Sequence, residues 1–255
     1  MRVLLLGGTA DARALAELLQ GEGIDFLSTL AGRVARPRLP VGEVRIGGFG
    51  GVPGLQEFLA EEGIDAVVDA THPFAAGMSR NAVEACAAAQ VPLLRLERPG
   101  WGAAPGADAW HWVEDHDEAA TVAAGLGSRP FLTVGRQSLD RFTGPLATAY
   151  ALVRVVDAPD VELPDTWTLL PSRGPYTLDS ERALLRDHGA DVLVTKDSGG
   201  TWTWPKMAAA DELGVPIVVV RRASASADVS SVAEPGEVLP WLNQFSQLSR
   251  LAGGQ

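Results

Sequence analysis

The sequence predicts an α/β protein built from two Rossmann-like, doubly wound parallel-sheet domains with a cleft between them. Three observations predict it. Short apolar runs alternate with amphipathic, helix-like stretches in both halves of the 255-residue chain. Several runs are apolar at consecutive positions, as in strands buried on both faces, where a half-exposed strand would alternate apolar with polar. Short glycine turns carry the chain from strand to helix.

The first run, residues 3–7, reads as a buried strand that breaks at Gly7-Gly8 and enters a helix with Leu15, Leu18 and Leu19 on one face. Strand, glycine turn and helix N-terminus form a cradle for a dinucleotide pyrophosphate, because backbone N–H groups and the positive end of the helix dipole converge there. Gly8, Thr9, Ala10 and Asp11 are its candidate lining. Thr9 and Ala12 stand where G-x-G-x-x-G has its second and third glycines, so this turn alone is also compatible with a plain chain reversal. The second strand, 25–30, ends on Ser28 and Thr29 and exits through Gly32, Arg33, Arg36 and Arg38, with no carboxylate until Glu43. An NAD site places an acidic residue on the ribose 2′-hydroxyl near here. A hydroxyl-rich, cationic exit suits a 2′-phosphate instead, so NADPH is the expected cofactor and Arg33 its principal contact. The competing reading of the same residues is a solvated basic loop.

A third strand, 43–46, runs into the GGFGG segment at 47–51, where Gly47, Gly48 and Gly50 permit close backbone approach to a ligand and Phe49 can cover it. A helix bearing Leu55, Phe58 and Leu59 follows, then a strand at 65–70. The turn Thr71, His72, Pro73, Phe74, a helix at 75–90 and a strand at 91–96 complete the series. Residues 98–106 are rich in proline and glycine and aperiodic, which puts a domain boundary there: 1–98, a linker at 99–106, and a second domain at 107–250. The second half offers strands at 130–134, 148–155, 166–170, 191–195 and 216–220, and helices at 116–124, 178–188, 205–213 and 236–247.

Composition removes several classes. With 32 acidic against 21 basic residues and a net charge of −11, nucleic acid is not the expected partner. No apolar run approaches the roughly 20 residues a membrane helix needs. One cysteine, Cys86, in an alanine-rich helical run, reads as a small core residue. A lone cysteine with no leader-like start points to the cytoplasm; a monomer or small homo-oligomer is expected. No Tyr-x-x-x-Lys pair, G-x-S-x-G elbow or C-x-x-C occurs. His111, Asp115, His116 and Asp117 resemble metal ligands in composition, but Asp115 with Glu118 reads as a helix cap, and no metal is expected.

Ligands of open α/β sheets bind beyond the carboxyl ends of the strands. In the second half those ends carry Arg136, then Arg173, Gly174 and Tyr176, then Lys196, Ser198 and Gly199, with Lys206 at the next helix start. Four cations at sheet exits of an acidic chain point to a polyanionic small ligand. His72 and Lys196 are the candidates for catalytic work of an orienting or electrostatic kind. Trp202 and Trp204 flank a loop there and either wall a ligand or pack the core.

The set LGGTAD (6–11), AGR (31–33), GGFGG (47–51), DATHPFA (69–75), Gly174-Pro175 and VTKDSG (194–199) resembles the precorrin-6A reductase family of cobalamin biosynthesis. The resemblance spans residues 2–222. It implies two Rossmann-like domains with NADPH and a tetrapyrrole substrate between them. It also implies reduction of one double bond of precorrin-6A to the dihydro product, precorrin-6B. The family's usual Arg-Pro after the last strand is replaced here by Arg221-Arg222-Ala223, a departure that touches one turn. Three alternatives stay open: a cobalt-containing precorrin-6A as substrate, a non-catalytic dinucleotide-binding redox sensor, and a two-domain anion-binding protein.

Overall fold

The computed structural model describes the backbone of residues 1–32, 34–223 and 229–252, and side chains through residue 245. The chain forms two compact units, Met1–Arg98 with Ala223–Gln255, and Pro99–Arg222.

The first unit is a six-stranded, wholly parallel sheet. In chain order it comprises β1 (Arg2–Leu6), α1 (Ala10–Gly21), β2 (Asp25–Leu30), β3 (Glu43–Ile46), α2 (Gly51–Glu61), β4 (Ala66–Asp69), α3 (Ala76–Ala89) and β5 (Leu93–Leu96). The period of two along β1 divides its side chains between two cores. Val3 and Leu5 pack with Leu15 and Leu19 of α1, while Leu4 and Leu6 pack with Leu55 and Leu59 of α2 and with Ala82 and Cys86 of α3. Cys86 is thus the core residue expected from its context, and burial pushes its thiol up to about 12.

The second unit holds β6 (His111–Val113), α4 (His116–Leu126), β7 (Pro130–Leu132), α5 (Asp140–Thr143), β8 (Leu152–Val155), β9 (Thr168–Pro171), α6 (Leu178–His188), β10 (Val192–Lys196), α7 (Pro205–Glu212) and β11 (Ile217–Val220). Its sheet order is β6-β11-β10-β7-β8-β9, again all parallel. Phe131, Leu193 and Val219 face a core shared with Leu185 of α6 and Met207 of α7, in which Trp101, Trp110, Trp112 and Trp204 are gathered. Asp115 caps α4 by accepting from the Glu118 amide at 2.9 Å, and Glu118 reaches back to the Glu114 amide at 2.8 Å.

Three expectations are corrected. Residues 99–106 are no free linker: Trp101 is 4% exposed, and its amide and indole N–H donate to Asp197 and to the Gly200 carbonyl. Strand β6, absent from the sequence reading, pairs with β11. Most consequentially, the chain from Ala223 onward belongs to the first unit and not to the second. There β12 (Ser231–Val232) pairs with β5, and α8 (Val238–Ala252) buries Val238 and Leu242 in the α1-side core, making the first sheet β12-β5-β4-β1-β2-β3. An amphipathic helix announces that it needs a sheet to cover but not which one, so the sequence alone could not assign α8.

Candidate functional site

Each sheet has one topological switch point, where neighbouring strands send their connections in opposite directions. Open sheets bind ligands in the crevice at that point. In the first unit it lies between β1 and β4. The exits of those two strands are tied together by Thr9, whose hydroxyl donates to the Ala70 carbonyl at 2.8 Å and accepts from the Ala12 amide at 3.0 Å as the N-cap of α1. Gly8 has φ +110°, a value that excludes a larger residue without strain, and a Cβ there would meet nothing within 4 Å. The space in front of the α1 N-terminus is therefore open, as a pyrophosphate cradle requires. Asp11 is committed differently from expectation: it pairs with Arg98.

The turn after β4 is held from beneath. Asp69 accepts from the Thr71 amide at 3.0 Å and the Thr71 hydroxyl at 2.7 Å. Arg95 on β5 ion-pairs with Asp69 at 2.7 Å and donates to the Thr71 hydroxyl, the Thr71 carbonyl and the Ser79 hydroxyl at 3.0–3.2 Å. His72 Nδ1 accepts from the Phe74 amide at 3.2 Å, which places the neutral ring's proton on Nε2 and orients the ring. The α3 helix then begins at Ala76, and its N-cap, Ala75, supplies no side-chain hydrogen bond.

At the β2 exit the Ser28 hydroxyl is buried without a partner among the described residues, and Arg33 lies outside them. The Gly47 amide donates to the Leu30 carbonyl at 2.9 Å, joining this exit to the glycine segment. A Cβ on Gly47, Gly48 or Gly50 would meet nothing within 4 Å. Phe49 packs edge-on against Phe58, with ring centroids 5.0 Å apart, and so closes one side of the segment.

In the second unit the switch point lies between β7 and β10. Lys196, at the end of β10, reaches across it: a Cβ on Gly135, past β7, would stand 3.6 Å from Lys196 Nζ. Burial lowers the Lys196 ammonium to about 8. Beyond it Asp197 accepts from the Trp101 amide at 2.9 Å and from Arg222 at 3.3 Å, and the Ser198 and Thr203 hydroxyls lie 2.9 Å apart. Arg136 donates to the Ala158 carbonyl at 3.2 Å near β8, and Arg173 is exposed beyond β9. Tyr176 donates to the Ser172 carbonyl at 3.2 Å and lays its ring on Arg154, 4.1 Å from guanidinium carbon to centroid. Arg154 forms a buried pair with Glu181 at 2.7 Å. Neither residue is recognisable in sequence as part of this site, because each stands inside an ordinary strand or helix pattern.

Lys206 corrects an expectation. It is 5% exposed, its ammonium donates to the Thr203 carbonyl at 3.0 Å, and it stands over the Trp101 ring at 4.9 Å. It supports the loop after β10 from below instead of presenting charge at the sheet exit. Burial, with Arg154 as the next cause, lowers it to about 7. An unfolded lysine holds its proton up to about pH 10.4. Between those values the unfolded state binds more protons, so stability rises with pH across this window, and the penalty is fully present below pH 7. Lys206→Met should therefore stabilise the protein at pH 6 by about 1–3 kcal/mol, net of the lost Thr203 contact. The gain should vanish by pH 10 in urea unfolding curves at the two pH values. A pH-independent difference would show that Lys206 does not titrate in this way.

The family model described as Precorrin-6x reductase CbiJ/CobK matches residues 2–243. Precorrin-6A reductase of Rhodococcus erythropolis is 46% identical over 247 residues, covering 96% of this chain and 99% of the relative. Precorrin-6A reductase of Mycobacterium tuberculosis (strain ATCC 25618 / H37Rv) is 48% identical over 242 residues, covering 94% and 97%. A solved structure of CobK precorrin-6A reductase superposes with a TM-score of 0.88 at 38% identity, covering 96% of this chain and 97% of that one. Two wholly parallel sheets and likeness along nearly the full length lead to one assignment: the chain belongs to the precorrin-6x reductase family.

Proposed function

We propose that this protein reduces a double bond of precorrin-6A to give precorrin-6B in cobalamin biosynthesis, with NADPH as the reductant. Family membership carries the reaction. The observation that supports the cofactor's place is the first unit's switch point: an open, glycine-lined space before the Thr9-capped helix, facing a turn held by Asp69 and Arg95. The chain's residues fit a dinucleotide. Gly8, Thr9 and Ala10 would take the pyrophosphate on backbone N–H groups, and the Gly47–Gly50 segment with Phe49 would take the adenosine. Ser28, Thr29, Gly32 and Arg33 would surround the 2′-phosphate, and Thr71, His72, Pro73 and Phe74 would border the nicotinamide side. When bound, NADPH supplies the hydride.

The second unit would receive the macrocycle. Its ring is fringed with acetate and propionate carboxylates, which suit Arg136, Arg173 and Lys196, with Gly174, Tyr176, Ser198 and Gly199 shaping the surface. Reduction also consumes one proton, which Lys196 would hold or deliver while offsetting negative charge. Among the described residues no helix is long and apolar enough to cross a membrane. The chain's only cysteine is compatible with work in a reducing cytoplasm.

The test is direct. With precorrin-6A added, NADPH absorbance should fall in step with a two-hydrogen mass gain in the tetrapyrrole. Binding of NADPH without consumption would support a sensor instead. Arg33→Ala should weaken NADPH binding by about 1.5–3 kcal/mol, the worth of a charged hydrogen bond, and leave NADH binding nearly unchanged. Equal losses for both cofactors in a titration would remove Arg33 from the 2′-phosphate site.

A further inference from the structure

We infer that Arg45, on the edge strand β3, is a second cation of the 2′-phosphate site and so a determinant of cofactor choice. The inference rests on the reading of the first unit as an NADPH site. Arg45 stands in register with Thr29 of β2, the neighbouring strand whose exit carries Gly32 and Arg33. Its head is fixed without any acid. The guanidinium carbon lies 4.6 Å from the Phe49 ring centroid and 5.1 Å from that of Phe58, so two aromatic rings hold the cation. Nη1 donates to the Gly47 carbonyl at 3.1 Å and Nη2 to the Gly48 carbonyl at 3.0 Å.

The other well-anchored arginines of this unit each face a carboxylate. Arg2 meets Glu43 and Glu62, Arg95 meets Asp69 and Glu97, and Arg98 meets Asp11. Arg45 has no carboxylate partner among the described residues, in a chain with 32 acidic side chains against 21 basic ones. A half-buried cation left unneutralised in an acidic protein, and held rigid, is suited to neutralising an anion that arrives from outside. The anion's place is also marked. The Gly47 amide ties this segment to the β2 exit, and a Cβ on Gly47 or Gly48 would meet nothing within 4 Å. A guanidinium has five donors in a planar fork, so the two given to carbonyls leave others for phosphate oxygens. An adenosine 2′-phosphate carries up to two charges, enough for Arg45 beside the cation that the sequence offers at Arg33.

The probes are adenosine 2′,5′-bisphosphate and 5′-AMP, titrated by calorimetry into the full-length protein, its Arg45→Gln variant and its Arg45→Lys variant, with thermal melting to establish that each is folded. The parent should bind the bisphosphate more tightly than AMP. Arg45→Gln should lose tenfold or more for the bisphosphate and stay within twofold for AMP, with Arg45→Lys between and more sensitive to salt than Gln. Equal losses for the two probes would make Arg45 a staple of the glycine segment only, and no loss for either would also overturn the inference. A parent that does not distinguish the probes would overturn the NADPH reading itself, an outcome visible before any variant is compared.

Discussion

Replacing Arg95 with methionine should destabilise the protein by about 3–5 kcal/mol, the loss typical of stripping one partner from a buried ion pair. Asp69 is 2% exposed and Arg95 8%, so the carboxylate left behind would keep its Thr71 contacts but lose its countercharge in a place water hardly reaches. Ser79 and the Thr71 carbonyl would lose donors in the same stroke. The urea unfolding midpoint measures the effect. Arg95→Met combined with Asp69→Leu should recover part of the single-variant loss, because no unpaired charge then remains buried. A single-variant loss under about 1 kcal/mol would place the pair with ordinary solvated ion pairs. On the cofactor placement proposed above, the stability loss should come with weaker NADP⁺ binding, since the turn at 71–74 rests on this guanidinium. Arg95→Lys, which keeps the charge but not the fork, should preserve more stability than affinity.

Much of this fold was legible because its signals are local. The run at 3–6, the turn at Gly7-Gly8 and the apolar face of α1 sit within twenty residues of each other, and each element's period states its type. The exits follow from the fold class, so Thr9, the Gly47–Gly50 segment, Thr71–Phe74 and Lys196 could be named before any geometry was known. What stayed hidden is non-local. Residues 223–252 return to the first unit through a two-residue strand and one helix, and nothing in their own periodicity states which sheet they join. The supports of the site were equally hidden. Arg95 lies 24 positions from Thr71, and Arg154 lies 27 from Glu181; the pairing of β5 with β4 brings the first two together, and the packing of α6 on its sheet the second two. Lys206 misled for the opposite reason: its position past a sheet exit suggested an exposed charge, whereas α7 turns it inward beneath Trp101 and Thr203.

Lys196→Ala should lower kcat/KM by about 10- to 1000-fold, the range for losing a proton-transferring or charge-stabilising group. The position at the β7–β10 switch point and the burial of the ammonium argue for this size, because a charge removed from water acts more strongly on what it touches. The pH profile separates this role from mere packing. With the group at about 8, the ammonium prevails at pH 7 and is lost as pH rises. In the role proposed for Lys196 the protonated form is the useful one, both for offsetting negative charge that develops on the reduced ring and for giving that ring its proton. The parent's kcat/KM should therefore be level below about pH 8 and fall by about tenfold per unit above it. That limb should be missing from Lys196→Ala. A carboxylate-rich substrate beside the amine favours the charged form, so the limb in kcat should lie at higher pH than the limb in kcat/KM. Lys196→Arg then divides the two roles. A guanidinium keeps the charge but does not release a proton in this range, so rescue by arginine assigns Lys196 to charge stabilisation, and failure of rescue in a folded variant that still binds substrate assigns it to proton delivery. Unchanged turnover in Lys196→Ala, or a rate that rises above pH 8, would remove Lys196 from the reaction altogether.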